Sequence, residues 1–218
     1  MNPLPVQVAH RWGVPPDQPR QPWPPPGPPA GPGGSGADLS PWLEERLFDQ
    51  RIVVLSGPLN GPNATRAAAA LMTLDALAPD PVRLHMSAPD GDFAAAFSLV
   101  DAIDAMRAPV HAVVTGKVGG AALAVLAAAE RRLAYRHATL HVCEPATALA
   151  EGTADEVTAA AGQYLRELEE LADRIAAITE QPRSRIEDDL SAGRVLNAVQ
   201  AREYGLIDEI IGERPGQP

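Results

Sequence analysis

Residues 110–129 read VHAVVTGKVGGAALAVLAAA, and the reading of this stretch decides the fold. The β-branched residues Val110, Val113, Val114 and Thr115 predict a strand, Gly116, Gly119 and Gly120 a tight turn, and the alanine-rich run to Ala129 a buried helix. At such a junction an open α/β sheet presents a nucleophile, because the turn lifts one side chain at the carboxyl end of the strand beside a helix amino end that favours negative charge. Here the turn offers none. Gly119 and Gly120 stand where acyl transfer would need a serine or cysteine, and Lys117 is the sole lysine of the chain.

Strands and helices alternate on both sides of this unit. Before it, Ser40-Pro41 marks a helix start for a short helix to Phe48, followed by a strand from Arg51 to Leu55 and the turn SGPLNGPN. Asn63 is expected to cap a helix to about Leu77 with Ala67, Leu71, Leu74 and Leu77 on its apolar face. A strand at Val82–Met86, the turn SAPDGD and a helix from about Phe93 to Met106 come next, with Phe93, Phe97, Val100 and Ile103 on one face. After the central unit, Arg132–Val142 reads as one strand and Thr153–Thr179 as a long helix with Leu165, Leu168, Leu171, Ile175 and Ile178 as its stripe. That stripe either packs on its own core or seeks a partner subunit. A short helix near Ser184–Leu190, a helix stopped by Gly205 and a strand at Ile207–Ile211 close the chain. The alternation predicts an α/β domain with mainly parallel strands.

Composition narrows the function classes. The formal charge of −10, with no basic run, argues against a nucleic-acid surface. No apolar segment approaches the ~20 residues that span a bilayer, the amino terminus lacks a secretion signal, and one cysteine fits a reducing compartment, so the cytoplasm is expected. Twelve of the first 32 residues are proline. Residues 1–37 are therefore expected to form a disordered tail of polyproline II character, serving as a solvated tail, a docking strap or a ring-pore segment. The folded domain is expected over residues 38–212, with a short tail at 213–218.

The segments RIVVLSGPL, SAPDG, TGKVGGAAL, LHVCEP and above all NAVQAREYGLIDEII resemble the proteolytic subunit of the Clp protease. The resemblance runs from about Trp42 to Ile211. It implies a fold related to the crotonases, built of repeated β-β-α units with a long projecting handle helix, which here would be the helix from Thr153. It also implies a cytosolic serine peptidase in seven-membered rings around a closed chamber, fed by an ATP-driven AAA+ unfoldase, without a cofactor. The segment before the first strand and the stretch ATALAEG before the handle both depart from the family's pattern.

Carried over by position, the resemblance places the family's nucleophilic serine at Gly120, its base histidine at Cys143 and its orienting aspartate at Gly193. Glycine has no oxygen with which to attack a carbonyl, and a thiol replaces poorly an imidazole that titrates near neutrality. The oxyanion donors correspond to Gly91 and Ala121, with Asp90 where the family has glycine. An Asp90 carboxylate aimed at the oxyanion would oppose it. The resemblance thus implies a non-catalytic subunit that acts in ring assembly or regulation, alone or with an active paralogue.

Two alternatives belong to other classes. In one, the peptidase groups have moved: Cys143 attacks with His141 as base, two residues apart on one strand face but ~6.5 Å apart at the backbone; Asp188 and Asp189 lie near the lost aspartate position in sequence, but a relocated acid is useless without a serine and a base. In the other, the backbone oxyanion site serves a crotonase-like acyl-CoA enzyme. His85, His111 and His137 show no metal-ligand spacing, and no metal site is expected.

Overall fold

A computed structural model describes residues 40–145 and 152–212. The expectations for tails 1–37 and 213–218, and for residues 146–151 of ATALAEG, lie outside the described residues. In chain order the elements are α1 (Pro41–Asp49), β1 (Ile52–Ser56), α2 (Gly61–Leu77), β2 (Val82–Ser87), α3 (Phe93–Asp104), β3 (Val110–Val114), β4 (Lys117–Gly119), α4 (Ala122–Ala128), β5 (Arg131–Tyr135), β6 (Thr139–Val142), α5 (Ala154–Thr179), α6 (Arg183–Ala192), β7 (Arg194–Asn197), α7 (Ala198–Tyr204) and β8 (Glu209–Ile211).

Two sheets result. Five strands in the order β1-β2-β3-β5-β8, all parallel, form the larger, and β4-β6-β7 the smaller. In the smaller sheet β4 runs parallel to β6, and β6 antiparallel to β7. The period-2 alternation of β1, β2 and β3 sends Val53, Leu55, Leu84, Met86, Ala112 and Val114 into the core, where they meet Leu71 of α2, Leu99 of α3 and Leu123 and Leu126 of α4. Truncating any of these fully buried leucines to alanine costs about 2–5 kcal/mol. Alanines on the buried faces of α2, α3 and α4 let the helices lie close, which suits a chain with few aromatic rings.

Several expected boundaries move. The single strand over Arg132–Val142 is two strands in different sheets, because the exposed Arg136 and His137 turn the chain and the Ala138 N–H closes on the Tyr135 carbonyl at 2.9 Å. The N-cap of α2 is Asn60, not Asn63. The two side chains cap reciprocally, with the Asn63 N–H donating to Asn60 Oδ1 at 3.1 Å and the Asn60 N–H to Asn63 Oδ1 at 2.9 Å. Leu77, expected on the apolar face of α2, is 68% exposed. Part of the glycine turn is β4, strand β7 has no counterpart in the expectations, and the last strand begins at Glu209 because Asp208 is tied to Arg132.

The long helix spans Ala154–Thr179, as expected, and Thr153 and Glu156 cap its start reciprocally. Its stripe divides. Leu171, Ala172 and Ile175 are buried against the domain, Tyr164 and Leu168 pack partly, and Leu165 and all of residues 154–161 are exposed.

Candidate active site

Carboxyl ends of parallel strands collect side chains at one edge of the domain, since each strand there hands over to a helix. Three chain segments meet at that edge here. The β2–α3 turn brings Pro89, Asp90 and Gly91, the β4–α4 turn brings Gly120 and Ala121, and the end of β6 brings His141, Cys143, Glu144 and Pro145. Hydrogen bonds lock them together: the Gly119 N–H donates to the Ala88 carbonyl at 3.0 Å, and the Gly120 N–H to the His141 carbonyl at 3.4 Å.

Gly120 has φ +55°, a backbone conformation that side chains rarely adopt, and the space beside it is already filled. A β-carbon at this position would lie 2.6 Å from Asp90 Oδ1 and 3.4 Å from the Pro145 Cα. The carboxylate of Asp90 therefore crowds the position of the first side-chain atom at 120, which could enter only if the carboxylate shifted. Its Oδ1 also accepts the Gly91 N–H at 2.8 Å, so one of the two expected oxyanion donors is engaged by the protein's own carboxylate. Ala121, the other, opens α4, with its carbonyl accepting from the Ala124 N–H at 3.0 Å.

Cys143 is half-buried beside this carboxylate. Burial pushes its thiol pKa up, the Gly120 N–H and the Lys117 ammonium oppose this, and the Asp90 and Glu144 carboxylates add to it; the balance is upward. The protonated thiol is the form least able to attack a carbonyl. Gly193, at φ +70°, closes the carboxyl end of α6 and has the His141 imidazole beside it: a β-carbon there would be 3.5 Å from Nε2. The imidazole thus lies against the position where the resemblance expects a carboxylate.

The other sequence candidates lie outside this corner. Asp189 accepts the Tyr204 hydroxyl at 2.6 Å and Arg194 Nη1 at 3.2 Å, while Arg185 and Arg194 flank the Tyr204 ring at 5.6 and 5.4 Å from its centroid. It is a structural acid that joins α6, β7 and α7. Asp188 is exposed on α6, His137 occupies the β5–β6 turn, and His85 and His111 sit on the large sheet. Among the described residues, no three His, Cys, Asp or Glu side chains are grouped to hold a metal ion.

One residue of the corner escaped sequence reasoning. Tyr164 reaches in from α5, donates its hydroxyl to the Pro145 carbonyl at 3.2 Å and sets its ring edge-on to Phe93 at 5.5 Å. Burial pushes its phenol pKa up, and the nearby Glu144, Cys143 and Asp90 push it further. In the sequence it reads as one more apolar position four residues before Leu168.

Among the described residues no helix is long and apolar enough to cross a membrane. Residues 39–214 match the sequence model of the family described as Clp protease. The chain is 28% identical over 172 residues to ATP-dependent Clp protease proteolytic subunit 4 of Streptomyces avermitilis, covering 78% of this chain and 76% of that protein. It is equally identical, over the same length, to proteolytic subunit 2 of Streptomyces coelicolor and proteolytic subunit 1 of Rhodococcus jostii, covering 79% and 78% of those chains.

Proposed function

The chain belongs to the Clp protease family, and from that membership we propose that it is a non-catalytic proteolytic-subunit homologue of the ATP-dependent protein degradation system. It assembles into rings with itself or with an active paralogue, and affects ring assembly, gating or the docking of an AAA+ unfoldase.

One observation supports a loss of chemistry: the Asp90 carboxylate crowds the side-chain position at Gly120 and takes the Gly91 N–H. A tetrahedral intermediate gains its stabilisation from donors aimed at the developing oxyanion. Here such an anion would face a fixed negative charge, and two like charges ~4 Å apart repel by about 4 kcal/mol at an effective dielectric near 20. The site therefore lacks the nucleophile and also opposes the charge that acyl transfer would create. The raised thiol pKa of Cys143 disfavours a displaced cysteine nucleophile on the same ground, and the same engaged donor disfavours an acyl-CoA reaction through this oxyanion site. Assembly is supported by the exposed start of α5, where Val157 and Leu165 are 39% and 57% exposed.

The test is native mass by light scattering, alone and mixed with an active Clp proteolytic paralogue of the same cell, together with labelling by a fluorophosphonate probe. Seven- or fourteen-fold particles without label on this chain are expected. A monomer both alone and in the mixture overturns the assembly role, and a labelled chain overturns the loss of chemistry.

A further inference from the structure

We propose that Asn60 is a site of spontaneous deamidation, closing on the Gly61 nitrogen to a cyclic imide that water opens to aspartate or isoaspartate, and that the reciprocal cap between Asn60 and Asn63 sets its rate. Asparagine followed by glycine is the pair in which this ring closes most readily, because glycine lacks the side chain that would obstruct the approach of its own nitrogen. Asn60-Gly61 is the one such pair in the chain.

The reaction needs only water and hydroxide. Hydroxide takes the Gly61 amide proton, the nitrogen bonds to Asn60 Cγ, and the bond from Cγ to Nδ2 breaks. Ammonia leaves with a proton from water, which regenerates the hydroxide. Water then adds to one of the two imide carbonyls. Opening at Cγ restores the normal main chain with aspartate at 60, and opening at the main-chain carbonyl leaves an isoaspartyl link that is one methylene longer. Either product carries one more negative charge than Asn60.

The surroundings both open and restrain this step. Asn60 and Gly61 are exposed, and a β-carbon added at Gly61 would meet nothing within 4 Å. The Gly61 N–H lies in the first turn of α2, where helical N–H groups have no acceptor within the helix, so the attacking nitrogen is not tied down. The electrophile, by contrast, is held. Asn60 Oδ1 accepts the Asn63 N–H at 3.1 Å, the Asn60 N–H donates to Asn63 Oδ1 at 2.9 Å, and Asn63 Nδ2 donates to the Pro58 carbonyl at 2.6 Å. At ψ 169° the Asn60 backbone must rotate, and its side chain leave the cap, before the ring can close. Deamidation therefore runs through the fraction of molecules whose cap has opened, and the cap acts as its latch.

Asn197 is a control within the same chain. It is exposed, caps α7 and shares a reciprocal box with Gln200, but the residue after it is Ala198, 1% exposed. Asn63 likewise precedes the buried Ala64. The location gives the reaction a consequence. Leu59, just before Asn60, donates its N–H to the Asp90 carbonyl at 2.8 Å and accepts the Asp92 N–H at 3.0 Å. An isoaspartyl link at 60 lengthens the chain directly beside the two bonds that fix the Asp90 turn, whereas aspartate keeps a capping side chain there.

The test is peptide mapping by mass spectrometry of the full-length protein, fresh and after storage in warm, mildly alkaline buffer, with aspartyl and isoaspartyl products separated by chromatography. Asn60 is expected to convert about tenfold faster than Asn197 in the same molecules, a barrier difference of about 1.4 kcal/mol. Gly61→Ala is expected to slow conversion of Asn60 about tenfold, and Asn63→Ala to speed it about fivefold. The alanine at 61 fits, since Gly61 has no positive φ and open space beside it, and coincident melting curves tie its effect to the chemistry. Conversion of Asn60 no faster than that of Asn197 overturns the proposal, as does a Gly61→Ala protein that converts like its parent. An unchanged rate in Asn63→Ala overturns the latch.

Discussion

A serine placed at position 120 meets two obstacles, the +55° backbone and the Asp90 carboxylate. Gly120→Ser is therefore expected to lower stability by about 1–3 kcal/mol in urea unfolding and to remain unlabelled by a fluorophosphonate. In Asp90→Gly/Gly120→Ser about half of the loss should return, because the crowding goes and the backbone strain stays. A Gly120→Ser protein as stable as its parent would show that Asp90 yields the space freely. Asp208 supplies a second prediction. Burial raises its carboxyl pKa, but hydrogen bonds from the Arg132 side chain and N–H more than offset this, leaving it below 3.8. A depressed carboxylate contributes stability above its unfolded pKa and loses it as pH falls through the folded one. Asp208→Asn should thus lower stability by about 1–2 kcal/mol at pH 7, a modest figure because the pair is partly exposed. In melts at descending pH the gap to the parent should close below about pH 4. Gly120, Cys143 and Gly193 were legible in the sequence as the positions at which the resemblance expects the family's triad. What Asp90 does was not, because residue identity does not fix the rotamer that carries its carboxylate to Gly91. Tyr164 was hidden for a related reason: only packing of α5 against α3 brings it over Pro145.

Elements were read best where a cap and a long apolar period agreed. The α5 helix was expected from Thr153 and begins there, because its reciprocal cap with Glu156 is local chemistry that the order of residues dictates. The strands β5 and β6 were merged because both halves are apolar and β-prone; the turn at Arg136–Ala138 separates them only because each half finds a different sheet. The position of α2's cap shifted for a subtler reason, since Asn60 and Asn63 are each able to accept from the other. Within α5, the buried half anchors the helix, and the other half is exposed among the described residues. Leu165→Glu should therefore leave the monomer's melting temperature unchanged, Leu165 being 57% exposed. If the free half contacts a neighbouring subunit, the same substitution should reduce the particle mass in light scattering. An unchanged particle would place the contact elsewhere on the surface.

For the whole molecule, charge sets the terms of assembly. In the proposed assembly each copy would bring a formal charge of −10, and self-repulsion among several such copies opposes association unless salt screens it. The screening length shortens from ~30 Å at 0.01 M to ~8 Å at 0.15 M ionic strength. Particle mass should accordingly rise with sodium chloride across that range, as read by light scattering at fixed protein concentration. A mass that falls with salt would mean that opposite charges, rather than apolar surface, hold the subunits together. One further property follows from the corner around Gly120. The chain's single cysteine and single lysine side chain stand near each other there, Lys117 exposed on β4 and Cys143 at the end of β6. The protein thus arrives with two chemical handles on its own cleft: a slow thiol-directed dye marks Cys143, an amine-directed dye marks Lys117 besides the α-amino group, and the thiol dye can watch the corner open or fill without any mutation.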